Sequence, residues 1–115
     1  MKLEHLNKKN CTIIAVGSDT PGKREVGGCV VGYIKANGGL IVADKRDQVL
    51  RLGECQYFGE RGEEFENLIV ELGDITTLKK AGRKGNEMIL VDLTGAGAQD
   101  ASIAGVVFKK FEELE

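Results

Sequence analysis

Hydrophobic positions along the chain fall into short uniform runs separated by mixed segments. Cys11-Thr-Ile-Ile-Ala-Val-Gly17, Leu40-Ile-Val-Ala-Asp44 and Met88-Ile-Leu-Val-Asp92 are apolar, rich in β-branched residues, and each ends in glycine or aspartate. Runs apolar on both faces belong to strands of a parallel sheet covered by helices. Between them the spacing turns helical. Arg24 to Asn37 carries Val26, Val30, Val31 and Ile34 and stops at Asn37-Gly38-Gly39, although Gly27, Gly28 and Gly32 weaken it. Lys45 to Phe58 places Val49, Leu50, Leu52 and Phe58 among charges, as in a short surface helix interrupted at Gly53. Glu64 to Leu78 has Phe65, Leu68, Ile69, Leu72 and Ile75 in a stripe that predicts a buried helix face. Ala98 to Leu114 puts Ile103, Val106, Val107, Phe108, Phe111 and Leu114 on a long amphipathic helix.

The order β-α-β-α-α-β-α predicts an α/β fold: a partial Rossmann-like half-domain in three layers, about three parallel strands with flanking helices. Its 115 residues are expected to form one domain spanning 1–115. So small a sheet has two open edges, which predicts a homo-oligomer or a complementary half elsewhere.

Composition narrows the classes. At 42% hydrophobic and 30% charged the chain is not disordered, and 16 glycines with a single proline belong in turns rather than a linker. A net charge of −2, without aromatics interleaved among the basic residues, argues against nucleic acid as a partner. Met1 to Asn10 is polar and does not read as a targeting segment, and the apolar runs are too short for a bilayer, so no membrane partner is expected. Cys11, Cys29 and Cys55 lack C-x-x-C spacing, and His5 is the only histidine, so no metal site is expected. The cysteines read as reduced core thiols of a cytoplasmic protein.

Ligands of parallel α/β sheets bind beyond the carboxyl ends of the strands, so the three following loops hold the candidate chemistry. The first, Val16-Gly-Ser-Asp-Thr-Pro-Gly-Lys-Arg24, has P-loop spacing but Arg24 where a metal-binding hydroxyl belongs, and Pro21 deletes a donor from the nest. It also lacks the dinucleotide fingerprint. Asp19 at the strand tip suits proton transfer, with partial burial raising its pKa; equally, it could cap its own turn. Lys23 adds a cation four residues later. After the second run, Asp44 has the placement of a ribose-binding acid. Without a fingerprint before it, a plain helix cap is the favoured reading. The third loop, Leu93-Thr-Gly-Ala-Gly-Ala-Gln-Asp100, either admits an anion or cofactor ring or is capped by Thr94 or Asp100. The charge runs Glu60–Glu66 and Lys79–Lys84 read as solvated surface.

Taken in order, these segments resemble the ornithine cyclodeaminase/mu-crystallin family. The resemblance is carried by Ala15-Val-Gly-Ser-Asp-Thr-Pro-Gly-Lys-Arg-Glu25, Leu40-Ile-Val-Ala-Asp44 with Leu52-Gly-Glu54, Glu71-Leu-Gly-Asp74 with Lys79-Lys-Ala-Gly-Arg83, and Leu93-Thr-Gly-Ala-Gly-Ala-Gln-Asp-Ala-Ser102. It is collinear from about Thr12 to Phe111. It implies NAD(P)-dependent oxidoreductase or lyase chemistry on amino or imino acids, with NAD or NADP as cofactor. Asp19 matches the catalytic acid/base; Val16, Gly17 and Ser18 match the backbone beside the nicotinamide. Lys23 matches a further cofactor contact, Leu93 a nicotinamide contact and Thr94 a substrate contact. Only the C-terminal part of the family pattern is present. The pyrophosphate loop and the substrate domain are missing, and Gly27 to Gly39 is longer and richer in glycine. The expected molecule is therefore a truncated or fragmentary family member resembling the second half of an NAD(P)-binding Rossmann domain, without independent turnover. The alternative is a non-catalytic module that dimerises through open sheet edges or the C-terminal helix.

Overall fold

The computed structural model describes residues 2–56 and 67–114. In chain order the elements are β1 (Thr12–Ala15), α1 (Gly28–Ala36), β2 (Leu40–Ala43), α2 (Arg46–Val49), β3 (Ile69–Glu71), α3 (Leu72–Thr76), β4 (Ile89–Asp92) and α4 (Gly97–Glu112). The strands form one parallel sheet in the order β1-β4-β2-β3. β1 to β2 and β3 to β4 are crossovers, as parallel pairing requires.

Register decides which side chains meet. Ile13 pairs with Leu90, which also pairs with Ile41, while Ala15, Asp92 and Ala43 form the next row. Both rows face α1, whose Val30, Val31 and Ile34 are fully buried, and this layer with Val26, Val49 and Cys55 is the core. The opposite face carries Ile14 and Val16, which are 63% and 65% exposed on edge strand β1. α1 ends where Gly38 takes φ +65 and the Gly39 N–H bonds to the Ile34 carbonyl. A side chain at Gly39 would run into the Met88 carbonyl, so β2 can enter the sheet there only with glycine.

The structure corrects several expectations. The described residues form four strands rather than three: Ile69–Glu71, inside the segment expected to be helical, pairs with β2. Leu68, Ile69, Leu72 and Ile75 do suit a helix face, but Ile69 and Val70 are both buried, one on each side of the sheet, and short apolar runs carry no decisive period. The helix after them is only α3; Phe65 lies outside the described residues. α2 stops at Val49, and the chain then turns so that Gly53 faces Asp92; the expected end at Phe58 is likewise outside the described residues. α4 exists as expected, but among the described residues its apolar stripe is uncovered: Ile103, Val106, Val107, Phe108 and Phe111 are all exposed. The polar N-terminus forms a single 3-10 turn, Leu3–His5, and packs Leu3 and Leu6 against the core. Of the free cysteines only Cys55 is a core thiol; Cys11 is half-buried and Cys29 exposed. Arg83 is not plain solvated surface. Its guanidinium donates to the Glu87 and Cys11 carbonyls and to Thr12 Oγ1, tying its loop to the start of β1. Among the described residues no helix is long and apolar enough to cross a membrane.

Candidate functional site

Parallel strands bring three loops to one sheet edge. The β1 loop is held from below by carboxylates and an amide. The Val16 and Gly17 N–H groups donate to Glu25 Oε2 at 3.2 and 2.7 Å, closing the loop on its own far end. Ser18, nearly fully buried, donates its hydroxyl to the Lys23 and Leu52 carbonyls at 2.6 and 3.2 Å. Its side chain therefore points into the protein, and only its backbone remains to face a ligand. Gln56 accepts from the Gly22 N–H at 2.6 Å and donates to the Lys23 carbonyl at 2.9 Å. Below it, buried Glu54 accepts from the Glu25 and Val26 N–H groups at 2.7 and 3.0 Å.

The bracing leaves Asp19 in solvent. Lys23 Nζ sits 2.9 Å from Asp19 Oδ1, and this hydrogen-bonded cation holds the carboxyl below its ordinary range. The expected partial burial and raised pKa are thus reversed, since none of the described residues covers the carboxylate. What the geometry provides is an ionised carboxylate, a base rather than an acid.

The β4 loop is gripped from β2. Asp44 Oδ2 accepts from the Thr94 and Gly95 N–H groups at 2.9 and 2.6 Å, and Oδ1 from the Thr94 hydroxyl at 3.2 Å and the Lys45 N–H at 2.8 Å. Gln48 Nε2 holds the Gly95 carbonyl at 2.8 Å, and Gly95 has φ +90, a conformation that favours glycine. Asp44 is thus no plain helix cap. Glu71 takes that part, accepting from the Arg46 N–H at the start of α2 at 2.9 Å. Neither Thr94 nor Asp100 caps α4; Gln99 Oε1 reaches back to the Ala96 N–H at 3.4 Å.

Val16 and Leu93 meet at this edge. The Leu93 N–H bonds to the Ala15 carbonyl at 2.9 Å, which extends the β1–β4 ladder by one residue. By strand alternation both side chains point to the face away from α1. Exposed Val16 and half-buried Leu93, with Thr94 on one flank and the Gly17–Lys23 loop on the other, make an apolar patch that suits a flat ring. Gly95 and Gly97 have nothing within 4 Å of a side-chain position, so the space beside them is open. The residues fit the nicotinamide end of a dinucleotide. They leave no free nest for its pyrophosphate: in the glycine-bearing turn that opens α4, the Thr94 and Gly95 N–H groups are already taken by Asp44 and the Ala96 N–H by Gln99.

Under this edge lies Asp92, fully buried at the end of β4. Burial, reinforced by the nearby charge of Glu54, raises its pKa to about 6, and burial pushes the Cys55 thiol up as well. Sequence reasoning missed Glu25, Glu54, Gln56 and Asp92 and misread Asp44. A polar residue between strands carries no periodic signal, and only the repeated placement of acids at strand ends hinted at Asp44 and Asp92.

Known proteins share the sequence pattern and the fold of this chain. An uncharacterized cyclodeaminase of Sinorhizobium fredii is 34% identical over 103 residues, covering 88% of this chain and 30% of its own length. The iminosuccinate reductase of Paracoccus denitrificans is 34% identical over 95 residues, with 83% and 28% covered. Its crystal structure in complex with NAD+ superposes with a TM-score of 0.74 at 32% identity over 89% of this chain and 30% of that one. An archaeal alanine dehydrogenase dimer with bound NAD gives 0.76 at 27% identity, over 89% and 31%. The chain thus spans about 30% of the length of the relatives it matches. The family model that matches residues 4–115 places this chain in the ornithine cyclodeaminase/mu-crystallin family.

Proposed function

We propose that this chain, as one domain, carries the nicotinamide side of an NAD(P)-dependent enzyme acting on amino or imino acids, by oxidoreduction or cyclodeamination. The pyrophosphate-binding and substrate-binding parts would come from a complementary polypeptide or a longer chain. The observation that carries this reading is exposed Val16 beside half-buried Leu93, between Asp19 and Thr94, in a family whose solved relatives hold NAD. Val16, Gly17, the backbone of Ser18 and Leu93 would face the ring, Lys23 would make a further cofactor contact, and Thr94 would contact substrate. A nicotinamide bound there would supply the redox equivalents. Asp19, held ionised by Lys23, is poised to accept a proton from the substrate amine or from attacking water. The setting is cytoplasmic, and a homodimer would meet the need to cover open surfaces.

The test is a titration of the 15N-labelled chain with NADH, followed by amide shifts. Weak binding that moves Val16, Gly17 and Leu93 is expected, with no turnover when an imino acid is added. Shifts confined to other regions would overturn the site. Robust turnover that disappears in Asp19→Asn would overturn the need for a complementary part.

The exposed stripe of α4 supports a second reading, a non-catalytic module that dimerises through this helix or the β1 edge. Light scattering behind size exclusion separates the two. A stable dimer that Phe108→Glu dissociates, without NADH shifts, would favour the module.

A further inference from the structure

On the reading above, Thr94 contacts the ligand, and its surroundings dictate what kind of atom it can contact. A carboxylate offers only hydrogen-bond acceptors, whereas a threonine hydroxyl has one hydrogen to give and two lone pairs. The contact between Thr94 Oγ1 and Asp44 Oδ1 at 3.2 Å therefore uses the hydroxyl hydrogen. Its direction cannot easily reverse, because the backbone holds both partners. Asp44 is fixed by the N–H groups of Lys45, Thr94 and Gly95, and the Gly95 carbonyl is fixed by Gln48. What Thr94 can still present to the open side of the turn is a lone pair.

We propose that Asp44 is the positioning residue that makes Thr94 an obligate acceptor, so that this turn selects a ligand group bearing N–H and rejects an oxygen that can only accept. The shared chemistry is a nitrogen-bound hydrogen. It has two sources at such a site: the ammonium or imine nitrogen of the substrate, or the carboxamide of a nicotinamide. A carboxylate or keto oxygen placed there would meet the Thr94 lone pairs and the charge of Asp44 with nothing to donate. Sequence reading had no access to this polarity, since Asp44 and Thr94 lie 50 residues apart.

Two probe pairs distinguish the sources by the amide shifts of Thr94 and Gly95 in the labelled chain. One pair is nicotinamide mononucleotide against nicotinate mononucleotide, which differ in carboxamide against carboxylate. The other is L-alanine against pyruvate, which differ in ammonium against keto oxygen. The N–H-bearing member of one pair is expected to bind about tenfold more tightly, the weight of one hydrogen bond lost to an unpaired group. Thr94→Val should reduce that ratio to near one while the Gly95 amide keeps its protection from exchange, and Thr94→Ser should restore it. Asp44→Asn, whose amide can donate to Thr94, should shift preference toward the acceptor-only member. Equal binding of both members, or a ratio unchanged in Thr94→Val, overturns the inference while leaving the nicotinamide-side reading intact. Probes that fail to move the turn at all overturn both.

Discussion

Glu54 and Asp92 are neighbouring carboxylates at the same depth, both fully buried beneath the carboxyl edge of the sheet, yet they are satisfied very differently. Glu54 accepts a backbone N–H on each oxygen, from Glu25 and Val26, with Arg24 Nε 4.0 Å away. Asp92 accepts a long bond from the Cys55 N–H at 3.3 Å to Oδ2, helped only weakly by the Glu54 N–H and the Cys55 thiol, and its Oδ1 has no partner among the described residues. Burial of a charge is tolerated where donors replace water and penalised where they do not. The first acid is therefore a strut of the β1 loop, and the second is an internal strain pushed toward its protonated form.

Removing the strut should have the largest effect. Glu54→Ala leaves two buried N–H groups unpaired and a cavity beneath the loop, so a loss of about 3 kcal/mol is expected in urea unfolding. A loss as small as that of an exposed residue would equate the two acids and break the comparison. The opposite sign is expected for Asp92→Asn at neutral pH. Because the folded-state pKa of Asp92 is raised to about 6 from an ordinary 3.8, the folded chain holds its proton more tightly than the unfolded chain. Its contribution to stability is greatest below about pH 4, falls as pH rises towards 6, and is constant above that, a change of at most about 3 kcal/mol. Asp92→Asn should remove this slope and raise the urea midpoint at pH 7.5 while leaving it unchanged at pH 4. An identical slope in wild type and variant would show that Asp92 is not strained. The smallest effect belongs to the exposed pair. Lys23→Ala should leave the melting temperature where it is and return the Asp19 carboxyl toward its ordinary pKa, read by carbon NMR. A carboxyl still depressed without Lys23 would mean that its own turn, rather than the lysine, holds the charge.

The same contrast explains how far the sequence could be read. β2 and β4 were legible because strands largely buried on both faces must be apolar throughout, β1 because it carries the same apolar run although Ile14 on its outer face is exposed, and their terminal glycine and aspartates marked the edge of the candidate site. β3 was not: Ile69 and Val70 sit in a stripe that also fits a helix, and only a neighbour, β2, decides between them. α4 was legible as a helix, but nothing in its periodicity tells whether Phe108 and Phe111 meet a core or solvent. At the site, the positions of Val16, Gly17, Asp19, Leu93 and Thr94 could be named from the loops, whereas the charge state of Asp19 could not. Its pKa depends on cover that the described residues do not supply and on where the Lys23 ammonium comes to rest.

By itself the sequence determined an α/β half-sheet and the edge of the candidate site, through local composition and spacing, and its family, through the resemblance of its collinear segments. Only the tertiary structure decided which acids brace the loops, which is strained, and that the Thr94 hydroxyl, its hydrogen held by Asp44, has a lone pair left to offer. Hydrogen-bond direction and desolvation are properties of neighbours in space. Asp44 meets Thr94, and Glu54 meets Val26, only after the sheet has brought distant segments together.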